Sequence, residues 1–332
     1  MFSPQYRLTK YLSQLLERTA LLLSSLKDHS LKPSLKLKMT RDALGRDVHS
    51  STWIEGNLLS LAQVASLVDG KDVEAQSQQK TEVKNCILVL RWIMEHKNTP
   101  VTSSRIRKLH GVMTQGLLTN DRSGHWRRVQ NYVVDSRRKV IFTPPRPNDV
   151  FKRMGGLLKW LSQSKEEHTL VRSAIFHHEF VTIHPFVDGN GRMARALSQW
   201  ILFQGKYETT HSLGLDEYFA ADRAKYYQMI QETRDMDGDY THWIEYYAAG
   251  LLRSVENLTY RLRSVRMDGK QWTPKQRELI ELLKSQGALG SRDIGHAMDI
   301  NRARVNQLIT PLITDGVVVK QGHTRSSMYR VI

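Results

Sequence analysis

The sequence has one cysteine, Cys86, among 332 residues. A single thiol makes no internal disulfide. That excludes a disulfide-stapled scaffold and leads to the expectation of a reducing, cytoplasmic setting. Cys86 lies in the apolar run Cys86-Ile87-Leu88-Val89-Leu90 and reads as a small buried hydrophobe. Long apolar runs are missing too. No stretch approaches the roughly 18 apolar residues of a membrane helix, so no membrane partner is expected. Residues 1–10 are polar and lack the h-region of a secretory signal. Acidic residues are in short supply: 33 Asp and Glu stand against 49 Lys and Arg, a formal net charge of +16. Such an excess favours an acidic partner such as nucleic acid, with a solvated basic face as the alternative.

What is present is concentrated in one stretch, Ile183-His184-Pro185-Phe186-Val187-Asp188-Gly189-Asn190-Gly191-Arg192-Met193-Ala194-Arg195. Apolar residues at helical spacing precede it (Ala174, Ile175, Phe176, Phe180, Val181) and follow it (Ala196, Leu197, Trp200, Ile201, Leu202), with Gly205 as C-cap. Pro185 and the Gly189-Asn190-Gly191 run break helicity between them. The spacing therefore predicts a helix, a tight glycine loop and a second helix.

A glycine loop that feeds a helix N-terminus is an anion site, because free N–H groups and the positive dipole end face the loop. Arg192 and Arg195 are three apart, share a helix face, and can both reach a polyphosphate. Asp188 belongs near phosphates only if a divalent cation bridges them, as Mg²⁺ does. His184, with an ordinary pKa near ~6.5, can take a proton from a hydroxyl. The set reads as a nucleotide–Mg²⁺ site with a general base and no protein nucleophile, suited to transfer of a phosphate-linked group to a hydroxyl. The plain alternative is a turn that joins two core helices.

The run resembles, without gap or substitution, the His-x-Phe-x-Asp/Glu-Gly-Asn-Gly-Arg-x-x-Arg signature of the Fic (Fic/Doc) family of nucleotidyltransferases. The resemblance implies a mainly α fold, a helical bundle with a small β-hairpin flap. It implies that His184 deprotonates a Ser, Thr or Tyr hydroxyl and that Asp188 binds Mg²⁺. Gly189, Asn190, Gly191 and Arg192 would hold the α- and β-phosphates of ATP, and Arg195 the γ-phosphate. Phe186 would plug the core and fix the loop. The product would be an AMP-modified hydroxyl.

Upstream, residues 1–49 predict two helices, broken at Lys32-Pro33-Ser34, the second around 41–48. The segment His49 to Asn57 then reads as a helix end with a Gly56-Asn57 cap. It also resembles the Ser/Thr-x-x-x-Glu-Gly/Asn inhibitory motif of Fic proteins, with Ser51 and Glu55 as its members. By that resemblance Glu55 pairs with Arg195 and blocks the γ-phosphate position. Further helices are predicted from Leu61 to Val68, from Val83 to Met94 and from Thr102 to Leu118. His110 reads as a packing histidine. Val133-Val134 and Val140-Ile141-Phe142 predict a hairpin, which in the resembled family docks a target backbone by strand addition. His177 and His178 are adjacent on a helix and point apart, which argues against a zinc site. Asp222-Arg223-Ala224-Lys225-Tyr226-Tyr227 resembles an Asn-Arg-x-x-Tyr-Tyr segment of relatives in which the asparagine lies near adenine. Asp222 and Tyr226 are accordingly candidates for nucleotide binding. The carboxylate of Asp222 leaves base preference open.

The last stretch reads as a separate module. Thr273-Pro274 starts one helix, Ser291 is expected to cap a second, and Asn301 a third with Val305, Leu308, Ile309 and Leu312 on one face. Two short strands follow, around 317–319 and 329–331. Three helices and a hairpin resemble a winged helix-turn-helix, with Arg302, Arg304 and Asn306 on the recognition helix and Lys320 and Arg325 on the wing. Pro311 should kink that helix near its end. A helical docking module is the alternative to DNA binding.

The expected organisation is a helical region over 1–100 with the inhibitory motif, a catalytic core over 101–253, a basic connector over 254–271 and the module over 272–332. The expected function is a protein adenylyltransferase that modifies a target or itself and is held off by Glu55. Alternatives are AMP removal, use of another nucleotide, or a transcriptional regulator that senses nucleotide. ATP with Mg²⁺, a hydroxyl-bearing protein, DNA and a second copy of the chain are the candidate partners.

Overall fold

The computed structural model describes residues 2–27, 33–134, 137, 139–205, 207, 214–236, 238–269, 272–314, 317–321 and 327–331. The chain divides into two compact units, Met1–Glu256 and Asn257–Ile332.

Unit 1 is helical. Its elements are α1 (Lys10–Lys27), α2 (Pro33–Ile54), α3 (Leu61–Val68), α4 (Ser77–Glu95) and α5 (Ser103–Met113). The hairpin β1 (Val133–Val134) and β2 (Val140–Phe142) follows, and then α6 (Pro147–Gln163), α7 (Thr169–Ile183), α8 (Asn190–Gln204), α9 (Leu215–Ala221) and α10 (Arg223–Asp235). The boundary with unit 2 falls inside α11 (Thr241–Gly269). The central pair is α7 and α8, buried along their lengths, with apolar residues on most faces and buried polar ones, among them His177, His178, Arg192 and Arg195, interspersed. A helix apolar on most faces belongs in a core, and the other helices of the unit form its shell.

Several expectations are corrected. Pro33 starts α2 rather than breaking it, so the helix begins well before residue 41. Proline suits the first helical turn, where its missing N–H is not needed. α2 ends at Ile54, where Gly56 takes φ 97° and the Asn57 N–H returns to the Thr52 carbonyl. α5 stops at Met113, short of Leu118, and Gly116 turns left-handed at φ 74°. The connector expected over 254–271 is no separate element: as far as Gly269 it continues the helix that starts at Thr241, α11.

Unit 2 continues with α12 (Pro274–Gln286), β3 (Leu289–Gly290), α13 (Ser291–Met298), α14 (Arg302–Thr314), β4 (Val318–Gln321) and β5 (Met328–Val331). Thr273 and Gln276 form a capping box on α12. Leu279, Leu283, Ile294, Val305, Leu308 and Leu312 make its core. Gly290, not Ser291, is the N-cap of α13, because the Asp293 carboxylate takes the Gly290 N–H. Strand β3 was not expected. It pairs with β5 in an antiparallel sheet of order β3-β5-β4. α14 runs through Pro311 to Thr314. Among the described residues, no helix is long and apolar enough to cross a membrane.

Candidate functional site

His184 is the C-cap of α7 and takes a left-handed backbone, φ 51° and ψ 58°. A non-glycine residue there costs about 1–2 kcal/mol, so the surroundings must hold it. The His184 N–H donates to the Phe180 carbonyl at 2.9 Å. Arg127 donates from Nε to the His184 carbonyl at 2.8 Å and from its backbone N–H to the Pro185 carbonyl at 2.9 Å. The ring Nδ1 lies 3.2 Å from the Val181 carbonyl. A carbonyl only accepts, so Nδ1 carries the proton and Nε2 keeps its lone pair. Burial pulls the ring down to about 4, helped by Arg234 and Arg127 and opposed by the Val181 bond and Glu55. The ring is a neutral base at pH 7.

The loop after His184 is closed from within and clamped from outside. Asn190 Oδ1 accepts the Phe186 N–H, and its Nδ2 donates to the Phe186 carbonyl, both at 2.9 Å. Phe186 is fully buried, stacked on His110 at 3.6 Å and tilted against Trp126 at 4.7 Å. His110 accepts the Gly124 N–H on Nδ1 and therefore donates from Nε2 to the Asp188 carbonyl at 3.0 Å. Asn131 donates to the Phe186 and Val187 carbonyls. The Asn190 side chain is thus spent on the loop, and what it offers a phosphate is backbone. Gly189 caps α8 at φ 77°, and a Cβ on Gly191 would strike the Glu55 carboxylate.

The two arginines supply the positive charge. Arg192 is buried, with Nη2 3.3 Å from Asp188 Oδ2. Arg195 is fully buried and donates from Nη2 to Glu55 Oε1 at 2.8 Å. Its Nε donates to Ser51 Oγ at 3.0 Å, and Nη2 also donates to the Ser51 carbonyl at 2.7 Å. Asp216, which the sequence did not flag, stands 3.7 Å from Arg195 Nε. Among the described residues, Arg192 Nε and Nη1 and Arg195 Nη1 are buried without a hydrogen-bond partner. Buried donors left open are costly, and an incoming anion would satisfy them. Burial pushes the Glu55 carboxyl up, but Arg195, Arg192 and Arg223 outweigh it and hold the carboxyl below its ordinary value.

Asp188 is the metal candidate. Its side chain is 61% exposed. The described residues contain no group of three or more His, Cys, Asp or Glu that could hold an ion. A lone exposed carboxylate fits a Mg²⁺ that arrives with phosphate oxygens, which supply its remaining ligands. Asp222 caps α10, accepting the Lys225 N–H at 2.9 Å. Tyr226 is buried with its hydroxyl 2.8 Å from His177 Nε2. Arg302, Arg304 and Asn306 are exposed on α14 and Lys320 on β4, and Arg325 lies outside the described residues. Arg234 was also not anticipated. It donates to the Val181 carbonyl and Thr182 Oγ1 and lies 3.6 Å over the Phe142 ring, tying the hairpin to the end of α7.

Residues 100–202 match the Fic/DOC family model. This stretch is similar to a Fic/DOC domain. It runs from α5 into α8 and holds His184, the loop, both arginines and the clamp of His110, Arg127 and Asn131. Ser51 and Glu55 lie before the matched residues, and Asp216, Asp222 and Tyr226 after them. The chain is 29% identical over 239 residues to protein adenylyltransferase Fic of Culex quinquefasciatus, covering 69% of this chain and 44% of that one. It is 30% identical over 189 residues to the protein of the same name from Drosophila grimshawi, covering 54% and 37%. The chain therefore spans less than half the length of these relatives. Among solved structures, a Fic family protein from Desulfovibrio desulfuricans G20 superposes with TM-score 0.68 at 26% identity, covering 100% of this chain and 98% of that one. A Fic domain containing signaling protein from Bacteroides thetaiotaomicron VPI-5482 shares the fold, with TM-score 0.60 at 24% identity over 74% of this chain and 94% of that one.

Proposed function

We propose that the chain transfers AMP from ATP to a Ser, Thr or Tyr hydroxyl of a protein, and that its resting state is held off by Glu55. The observation that carries this reading is the pairing of a bare, neutral His184 Nε2 with two buried arginines that still have open donors. The phosphates would lie over Gly189 and Gly191, on the N-terminus of α8, with Arg192 and Arg195 completing their partners. When bound, Mg²⁺ on Asp188 would neutralise phosphate charge. His184 Nε2 takes the hydroxyl proton, the freed oxygen attacks the α-phosphorus, and pyrophosphate leaves. Glu55 holds Arg195 Nη2, and its carboxylate lies against Gly191 on the ground the phosphates would occupy, so the pair acts as a brake. The test is mass spectrometry of proteins after incubation of the Glu55→Gly variant with Mg²⁺ and a panel of nucleotides. An AMP adduct on hydroxyl side chains, formed from ATP, is expected. An adduct from another nucleotide, or none from any, would reject the reading.

For unit 2 the proposed role is DNA binding by a winged helix-turn-helix. The order α12-β3-α13-α14-β4-β5 and the exposed Arg302, Arg304 and Lys320 support it. In the full chain, Arg302→Ala with Arg304→Ala should weaken duplex binding and lower its salt slope by about 1 for each phosphate no longer neutralised. Binding and slope equal to wild type would refute the role.

A further inference from the structure

Arg195 is touched by two carboxylates, and they differ in kind. Glu55 sits in the turn after α2, next to Gly56 at φ 97°, with its side chain 32% exposed. It has room to leave. Asp216 is in the first turn of α9 and is 2% exposed. It cannot leave without opening the core. Asp216 faces the arginine directly, with Oδ2 3.7 Å from Arg195 Nε. The Ser51 hydroxyl shares that edge of the arginine, accepting from Arg195 Nε at 3.0 Å. Among the described residues Asp216 Oδ1 has no hydrogen-bond partner, and Oδ2 is the oxygen that meets Arg195.

The consequence concerns the active state. An arginine with a fully buried side chain needs a countercharge at all times. When nucleotide displaces Glu55, the carboxylate that stays is Asp216. We propose that Asp216, which with the Ser51 hydroxyl faces the Nε edge of Arg195, is a positioning residue that keeps Arg195 charged, oriented and aimed at the nucleotide's terminal phosphate. This inference rests on the transferase reading. It gives Ser51 a second role beside its place in the brake, and it separates the two carboxylates by function. Glu55 competes with ATP for Arg195, whereas Asp216 prepares Arg195 for ATP. The Nη end then turns to the ligand while the Nε edge stays anchored.

The test is calorimetric binding of ATP and ADP with Mg²⁺ in the Glu55→Gly background. The Glu55→Gly protein should prefer ATP, since Arg195 meets the additional phosphate. Adding Asp216→Asn should cut the ATP-to-ADP preference by about tenfold. ADP affinity should stay within about threefold, because the rest of the cradle is intact. Ser51→Ala in the same background should shift the preference in the same direction, and it leaves the buried charge in place if Asp216→Asn does not fold. A merely structural defect would weaken both nucleotides together and so would overturn the inference. An unchanged preference, or tighter ATP binding by Asp216→Asn, would overturn it as well. A Glu55→Gly protein that binds neither nucleotide would sink the transferase reading and this inference with it.

Discussion

At His184 the chemistry depends on which ring nitrogen is free. The Val181 carbonyl fixes the proton on Nδ1, and burial among cations keeps the ring neutral. The direction of this shift can be checked. A folded value of about 4 lies below the ordinary 6.5, so the unfolded chain takes up the proton first as pH falls. Stability from the neutral ring is therefore present above pH 6.5 and lost as pH falls towards 4. NMR of the ring protons should show His184 still neutral at about pH 5.5, where a free imidazole is mostly charged. A ring half-protonated near its ordinary value would contradict the assignment of a buried, pre-formed base. Arg195 follows the opposite logic. Burial would lower its pKa, but Glu55, then Tyr226 and Asp216, outweigh it and hold the guanidinium charged while Glu55 is in place.

Among the elements, the glycine loop and its two helices are legible in the sequence because their information is contiguous. Apolar spacing, one proline and two glycines specify helix, loop and helix within residues 174–205. The clamp on that loop is not legible. His110, Arg127 and Asn131 reach it from segments 78, 57 and 55 residues away. His110 reads as packing because it sits on an apolar stripe, and it does pack, but its two ring nitrogens also join Gly124 to Asp188. Asp216 gives no signal, because an acidic residue in a first helical turn is ordinary. The N-terminal half of α2 escapes the pattern because its lysines at 36 and 38 dilute the apolar spacing and Pro33 reads as a stop. Strand β3 escapes it because two residues carry no period. The helix start read at Thr273-Pro274 does become a side-chain cap, and Ser60 and Thr102 cap α3 and α5 in the same way. A cap needs one side chain and the N–H three residues on, so short-range sequence suffices.

Across the whole molecule the chain joins a helical unit, whose residues 100–202 resemble a Fic/DOC domain, to a smaller unit made of the end of α11, helices α12 to α14 and a three-stranded sheet. The proposed brake is an arrangement that no local reading of either partner shows. Glu55 and Arg195 are 140 residues apart, and their contact exists only when α2 has packed beside α8. The fold thus brings an exposed acid from the turn after α2 and a buried acid from α9 to the same arginine. The central claim is that this site transfers AMP with His184 as base and is restrained by Glu55. Label transfer from ATP marked at the α-phosphate tests it most directly, comparing wild type, Glu55→Gly and Glu55→Gly with His184→Ala at equal concentration. The account predicts labelling by Glu55→Gly at least about tenfold above wild type, and a fall of roughly 10²–10⁴ when His184 is also removed. Equal labelling by wild type and Glu55→Gly, or undiminished labelling without His184, would contradict it.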